Sequence, residues 1–143
     1  MKLSAKAEYA CLAVLELALR HDQPEPARLV DIATPNGIPE RFLVQILLQL
    51  KGAGFVTSMR GASGGYRLAL EPREISLWDV IQSVEGPTSA PLAGNESTAT
   101  AGWHVLRDVW HETNRIEQEY LRQIDFAELA DRARAQNSNM YYI

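Results

Sequence analysis

The sequence predicts a mainly α fold: a winged helix-turn-helix with a two-stranded wing, followed by a long C-terminal dimerisation helix. Three stretches carry that expectation. Residues 27–51 hold two short amphipathic helical patterns separated by a tight turn containing Gly37, the sequence form of a helix-turn-helix. Directly after them, "FVTSM" and "YRLAL" bracket the glycine-rich "RGASGG" and together predict a β-hairpin. Beyond residue 102, Leu106, Val109, Thr113, Ile116 and Tyr120 recur at alternating three- and four-residue steps, the spacing of a narrow coiled-coil seam.

Each element has its own local justification. Ser4 suits the N-cap of a first helix over residues 5–20, with Ala7, Ala10, Cys11, Val14, Leu15, Ala18 and Leu19 on its core face. The polar "HDQPEP" is a loop. "ARLVDIA" makes two turns of helix that should stop at the breaker cluster "TPNG". A third helix runs from Pro39, suited to a first helical turn, to Lys51, with Gly52 at its far end. Phe42, Leu43, Ile46, Leu47 and Leu50 form its core stripe, leaving Arg41, Val44, Gln45 and Leu48 outward.

After the hairpin, Ser76 and Asp79 form a capping box for a fourth helix that Gly86-Pro87 stops. "PTSAPLAGNESTAT" has loop composition. The long helix spans Gly102 to about Ile124, Asp125 caps a short helix "FAELADRAR", and a polar spacer "AQNSN" leads to "MYYI". The predicted organisation is a winged helix-turn-helix DNA-binding domain at 1–86, a loop at 87–101, the dimerisation helix with a short terminal helix at 102–136, and a C-terminal tail at 137–143.

Composition narrows the function classes. A chain of 143 residues with 46% hydrophobic content can bury one core, with an extra element available for association. Lys6, Glu8 and Glu16 interrupt the apolar N-terminal stretch, which is neither a signal peptide's continuous apolar region nor a membrane span, so a cytoplasmic protein is expected. One cysteine, Cys11, excludes an intrachain disulfide framework and any site built from several thiolates of one chain. No nucleophile-base pair, metal-ligand cluster or phosphate loop stands out, so an enzymatic role finds no support.

Net charge is −4, against the basic footprint usual for nucleic-acid binders, but the distribution is uneven. Residues 1 to 67 hold eight Lys/Arg against six Asp/Glu, and the remainder six against twelve. The basic excess therefore lies with the wing, whose glycines Gly61, Gly64 and Gly65 would allow close approach to DNA while Arg60 and Arg67 supply charge to a narrow minor groove. On the third helix, Arg41 and Gln45 can hydrogen-bond base edges and Val44 can touch a thymine methyl. Lys2 and Lys6 are candidate phosphate contacts, while Tyr66 and Tyr9 fit packing roles, as do Trp78 and Trp103 between the winged unit and the long helix.

"MKLSAKAEYA", "GIPERFLVQILLQLKGAGFVTSMRGASGGYRLA" and "EISLWDVIQSVEGP" resemble the Rrf2 family of bacterial transcription regulators, closely over residues 1 to 87 and more loosely over the long helix. The resemblance implies a homodimeric DNA binder on an approximately palindromic double-stranded operator. Many members hold an iron-sulfur cluster through three cysteines in the loop before the long helix; here "TSAPLAGNESTATAGWH" keeps only His104, and Glu8 falls where some members carry an acidic ligand. The family pattern also often has glutamate at the position of Val44 and serine at that of Pro39, which points to a shifted target sequence and a lost cap.

No cofactor is expected, and the loss of cysteines points to the cluster-free branch, whose representative represses cysteine metabolism in complex with cysteine synthase and also ends in an aromatic pair and isoleucine. By that likeness Met140, Tyr141, Tyr142 and Ile143 are candidate partner-binding residues, their apolar and aromatic side chains flanking a terminal carboxylate that an amino-acid pocket could capture. Two rivals stay open: a redox or iron-sulfur sensor using Glu8 and His104, and a regulator of cysteine synthase that does not bind DNA.

Overall fold

The computed structural model describes residues 2–86 and 96–141. Its central post is α1 (Ala5–Leu19), started by Ser4, whose hydroxyl accepts the Ala7 N–H at 3.1 Å. The buried face of α1 is Ala7, Ala10, Ala13, Val14, Leu17 and Ala18. With alanine at most of these positions, α2 (Leu29–Asn36), α3 (Glu40–Gly52), α4 (Leu77–Glu85) and α6 (Phe126–Tyr141) all close on one helix. Cys11, Leu15 and Leu19, expected in the core, are only partly buried against it. The buried stripe takes in Ala13 and Leu17 in their place.

α2 runs through Pro35 instead of stopping before it. A proline in the last turn removes a single backbone bond there. The helix ends at Gly37, whose left-handed φ of 62° lets the Gly37 and Ile38 N–H groups turn back onto the Thr34 and Ala33 carbonyls. Pro39 precedes α3 and does not form its first turn. Leu43, Ile46, Leu47 and Leu50 are buried, each contributing roughly 1.5–3 kcal/mol by leaving water. Phe42, expected in that stripe, is 49% exposed, because it lies at the stripe's edge beside Arg41 and outside the contact with α1.

β1 (Val56–Met59) and β2 (Gly65–Leu68) pair antiparallel, Val56 opposite Leu68 and Met59 opposite Gly65. This wing is seated on the body by Tyr66, which exchanges both backbone hydrogen bonds with Ala27, at 2.7 and 3.0 Å. Tyr66 also packs against the core, as the sequence suggested.

The capping box of α4 forms as expected: Asp79 N–H donates to Ser76 Oγ and Ser76 N–H to Asp79 Oδ2, each at 3.1 Å. Two backbone bonds, Leu77 N–H to the Ile124 carbonyl and Phe126 N–H to the Ile75 carbonyl, fasten the start of α4 to the turn between α5 (Ala101–Arg122) and α6. Phe126, fully buried, completes the core there. Asp125 caps α6 by accepting the Glu128 N–H at 2.9 Å.

One expectation about the C-terminal part changes. α6 does not end at residue 134: "AQNSN" is helical and the helix continues to Tyr141, since no glycine or proline interrupts it and exposed polar residues weaken a helix only slightly. α5 carries no buried residue and meets the body chiefly through α4. The loop expected at 87–101 falls largely outside the described residues, as do Tyr142 and Ile143.

Gly65→Ala should lower stability by about 2 kcal/mol, because a Cβ there would stand 2.3 Å from the Ala27 carbonyl oxygen and unseat the wing. Urea unfolding of the two proteins checks this; an unchanged midpoint would contradict the seating of β2.

Candidate nucleic-acid interface

The exposed side of α3 and the tip of the wing form the candidate interface. Burial of one α3 stripe places Arg41, Val44, Gln45 and Leu48, spaced three, four and seven residues from Arg41, on the opposite, exposed face. Arg41 stands in the first turn, the part of a recognition helix that reaches base edges. Its guanidinium lies 5.1 Å from the centre of the Phe42 ring. Val44 is 44% exposed, enough for apolar contact with a thymine methyl.

At the wing tip the three candidate glycines are unlike one another. Gly61 has a φ of 107° and open space around its Cα, so it serves the turn and leaves room for a close approach. Gly64 and Gly65 are glycine for reasons inside the fold: a Cβ would stand 2.2 Å from the Met59 carbonyl oxygen and 2.3 Å from that of Ala27, respectively. Arg60 is exposed, and among the described residues nothing pairs with it.

Arg67, also expected to supply charge to the groove, is turned inward. Its guanidinium donates to the Gln23 carbonyl at 2.9 Å and to the Pro24 carbonyl, tying the 21–26 loop to the wing. A basic residue not singled out from the sequence takes its place beside the tip. Arg28, whose side chain is two-thirds exposed, lines a polar cleft of about 370 Å³ with Glu25, Asp31, Ala62, Ser63 and Gly64. Asp31 holds it at 3.4 Å, and the Arg28 N–H and guanidinium together keep the Asp31 carboxyl below its usual range. The Tyr66–Ala27 pairing, a long-range contact, helps bring Arg28 there.

Lys2 and Lys6 are exposed at the start of α1, next to the C-terminal end of α4, where Ser4 N–H donates to Glu85 Oε1 at 3.0 Å. The α5 seam residues Leu106, Val109, Thr113, Ile116 and Tyr120 are all exposed, as are Val105 and Trp110. Trp78 lies under the Arg122 guanidinium at the junction of α4 and α5. At the end of α6, Met140 is 72% exposed and Tyr141 is the last helical residue.

Glu8 and Cys11 line an apolar groove of about 450 Å³ with Leu12, Leu15, Leu121 and Phe126. Burial, aided by Glu85 and Glu8, pushes the Cys11 thiol up to about 12. His104 packs edge-on against Trp103 near the start of α5. No group of three or more His, Cys, Asp or Glu side chains able to hold a metal occurs among the described residues. No helix there is long and apolar enough to cross a membrane.

The model of the Rrf2 family, described as iron-dependent transcriptional regulators, matches residues 3–132. The chain belongs to the Rrf2 family. It is 35% identical to the transcriptional regulator CymR of Bacillus subtilis over the full length of both chains, and 36% identical to the regulator IscR of Aliivibrio salmonicida over 90% of this chain and 77% of that one. A regulator described as rrf2-like from Rhodobacter capsulatus is 46% identical over 92 residues; the chain spans 61% of its length. The solved structure of CymR, the global cysteine regulator of Bacillus subtilis, superposes with a TM-score of 0.79 at 34% identity, over 92% of this chain and 97% of that one. The Rrf2 relatives are DNA-binding transcriptional regulators and not enzymes, and the winged helix-turn-helix is their fold.

At pH 8 the folded protein's Cys11 should react with iodoacetamide at least about 100-fold more slowly than in the urea-unfolded chain, because the thiolate is the nucleophile and burial suppresses it. Mass spectrometry of timed samples checks this, and equal rates would contradict the burial of the thiol. The same shift has a stability consequence of fixed sign. The raised thiol is neutral in both states below pH 9, and above that the unfolded chain ionises first, so stability falls as pH rises from 9 toward 12.

Proposed function

We propose that this Rrf2 regulator is a homodimeric repressor of cysteine or sulfur metabolism, with α3 in the major groove and the wing in the adjacent minor groove of each half-site. The observation that carries the DNA geometry is the pairing of two exposed basic elements on one rigid unit. Arg41, Val44 and Gln45 on α3 and Arg60 at the wing tip are left outward by a core that is already filled. Arg41 suits guanine, Gln45 adenine and Val44 a thymine methyl, while Arg60 suits a narrow minor groove and Gly61 the close approach it needs.

Dimerisation is supported by α5. Leu106, Val109, Ile116 and Tyr120 leave an apolar seam in water on a helix that projects from the body, and covering such a seam with a second copy is the ordinary way to stabilise it. Two-fold symmetry then requires an approximately palindromic operator.

The sulfur-metabolism assignment rests on the likeness to the global cysteine regulator of Bacillus subtilis and on the donor chemistry of this chain. A thiolate-held iron-sulfur cluster does not fit it. The sequence holds one cysteine, in α1, short of the several thiolates such a cluster needs. Glu8 and His104 alone lack the soft ligands such a cluster needs. Met140, exposed at the end of α6, together with Tyr141, Tyr142 and Ile143 after it, is the docking segment we assign to cysteine synthase.

Arg60→Ala should weaken binding to a duplex selected from a random-sequence pool about 10-fold and make the log–log dependence of affinity on salt shallower by about 1. Fluorescence anisotropy at several salt concentrations measures both, and wild-type affinity with an unchanged slope would contradict the wing's role. No duplex enriched from the pool, and no anisotropy change with either protein at any salt concentration, would favour the regulator that does not engage DNA.

Immobilised protein should capture cysteine synthase, and a version lacking residues 140–143 should not. Equal recovery from the two would remove the docking segment while leaving the DNA-binding function intact.

A further inference from the structure

We infer that Phe42 is a positioning residue for base recognition, its exposed ring holding the Arg41 guanidinium in place at the first turn of α3. The inference rests on the reading of α3 as the recognition helix.

Phe42 is not needed where the sequence pattern would put it. The stripe toward α1 is complete with Leu43, Ile46, Leu47 and Leu50, all essentially inaccessible, whereas Phe42 is 49% exposed. A large aromatic ring kept half in water at the start of a DNA-facing helix calls for a reason. The neighbouring guanidinium supplies one, with Arg41 Cζ 5.1 Å from the ring centroid, within cation–π range.

The contrast with other arginines sharpens this. Arg20, Arg28, Arg115, Arg132 and Arg134 each lie against a carboxylate, which uses their donors and neutralises their charge. Arg41 has no carboxylate partner among the described residues. A ring face restrains the guanidinium without consuming any of its five N–H donors, so the bidentate edge that fits guanine O6 and N7 stays available. Stacking thus narrows the rotamers of a long side chain before binding, and less freedom remains to be lost when a base edge is engaged.

A double-mutant cycle tests it. Wild type, Arg41→Ala, Phe42→Leu and the double variant are titrated against the duplex that wild type selects from a random pool, and against that duplex changed at the base pair whose preference Arg41→Ala abolishes. Phe42→Leu should bind the selected duplex about 2- to 5-fold more weakly, the range of an exposed cation–π contact, and discriminate less at that one pair. Phe42→Tyr, which keeps the ring, should restore both. The double variant should bind as Arg41→Ala does.

If Phe42→Leu causes the same loss in the Arg41→Ala background, the ring acts through its own contact with DNA or through the fold, and the inference is wrong. If it has no effect in either background, the inference is equally wrong. Arg41→Ala with wild-type affinity and base preference would instead overturn the assignment of Arg41 to the bases, and Phe42's role with it.

Discussion

The whole arrangement depends on how closely helices can approach α1. Its buried face is mostly alanine, so α2, α3, α4 and α6 share one post instead of each needing its own core. That crowding fixes the rotation of α3 about its axis. Leu43, Ile46, Leu47 and Leu50 must face the post, and at 3.6 residues per turn this leaves Arg41, Val44, Gln45 and Leu48 no direction but outward. The wing is set by a second constraint, the Tyr66–Ala27 pairing, which joins β2 to the entry of α2 with two backbone hydrogen bonds. Helix and wing are therefore held in one relation by contacts behind them, and the residues proposed to face DNA are spared from holding the fold.

Charge follows the same division. The chain is acidic overall, yet its acidic excess lies beyond residue 67, where α5 and α6 carry arginines already matched to glutamate or aspartate, such as Arg115 with Glu119 at 2.6 Å and Arg132 with Glu128 at 2.7 Å. Exposed pairs of this kind add little stability, but they cancel positive charge on surfaces that have no use for it. Arg41 and Arg60, by contrast, have no acidic partner among the described residues. A protein of net charge −4 can in this way keep a local basic footprint.

Most of the architecture was legible in the sequence because local signals and long-range packing agree there. The Ser4 and Ser76 caps, the hairpin, the Asp125 cap and, apart from Phe42, the core stripe of α3 form at the expected residues. Apart from the longer α6, the departures share a cause, namely that neighbours decided what propensity could not. Pro35 sits inside α2 because Gly37 offers a better stop, and Arg67 turns to loop carbonyls because the 21–26 segment lies over the wing. Phe42 satisfies the helical period yet lies where α1 does not reach. In the candidate site, Arg60 and the outward face of α3 could be read from spacing alone. Arg28 could not, since long-range contacts such as the Tyr66–Ala27 pairing bring it to the wing, nor could the distinct reasons for Gly61, Gly64 and Gly65.

The central claim is that each protomer reads a major groove with α3 and the adjoining minor groove with its wing, twice over about a dyad. Dimethyl sulfate footprinting on duplexes selected from a random pool tests this in one measurement, because it methylates guanine N7 in the major groove and adenine N3 in the minor groove. The account predicts protected guanines flanked within about half a helical turn by protected adenines, the pattern repeating with two-fold symmetry at about whole-turn spacing. Protection confined to one groove, or a single unrepeated cluster, would contradict it.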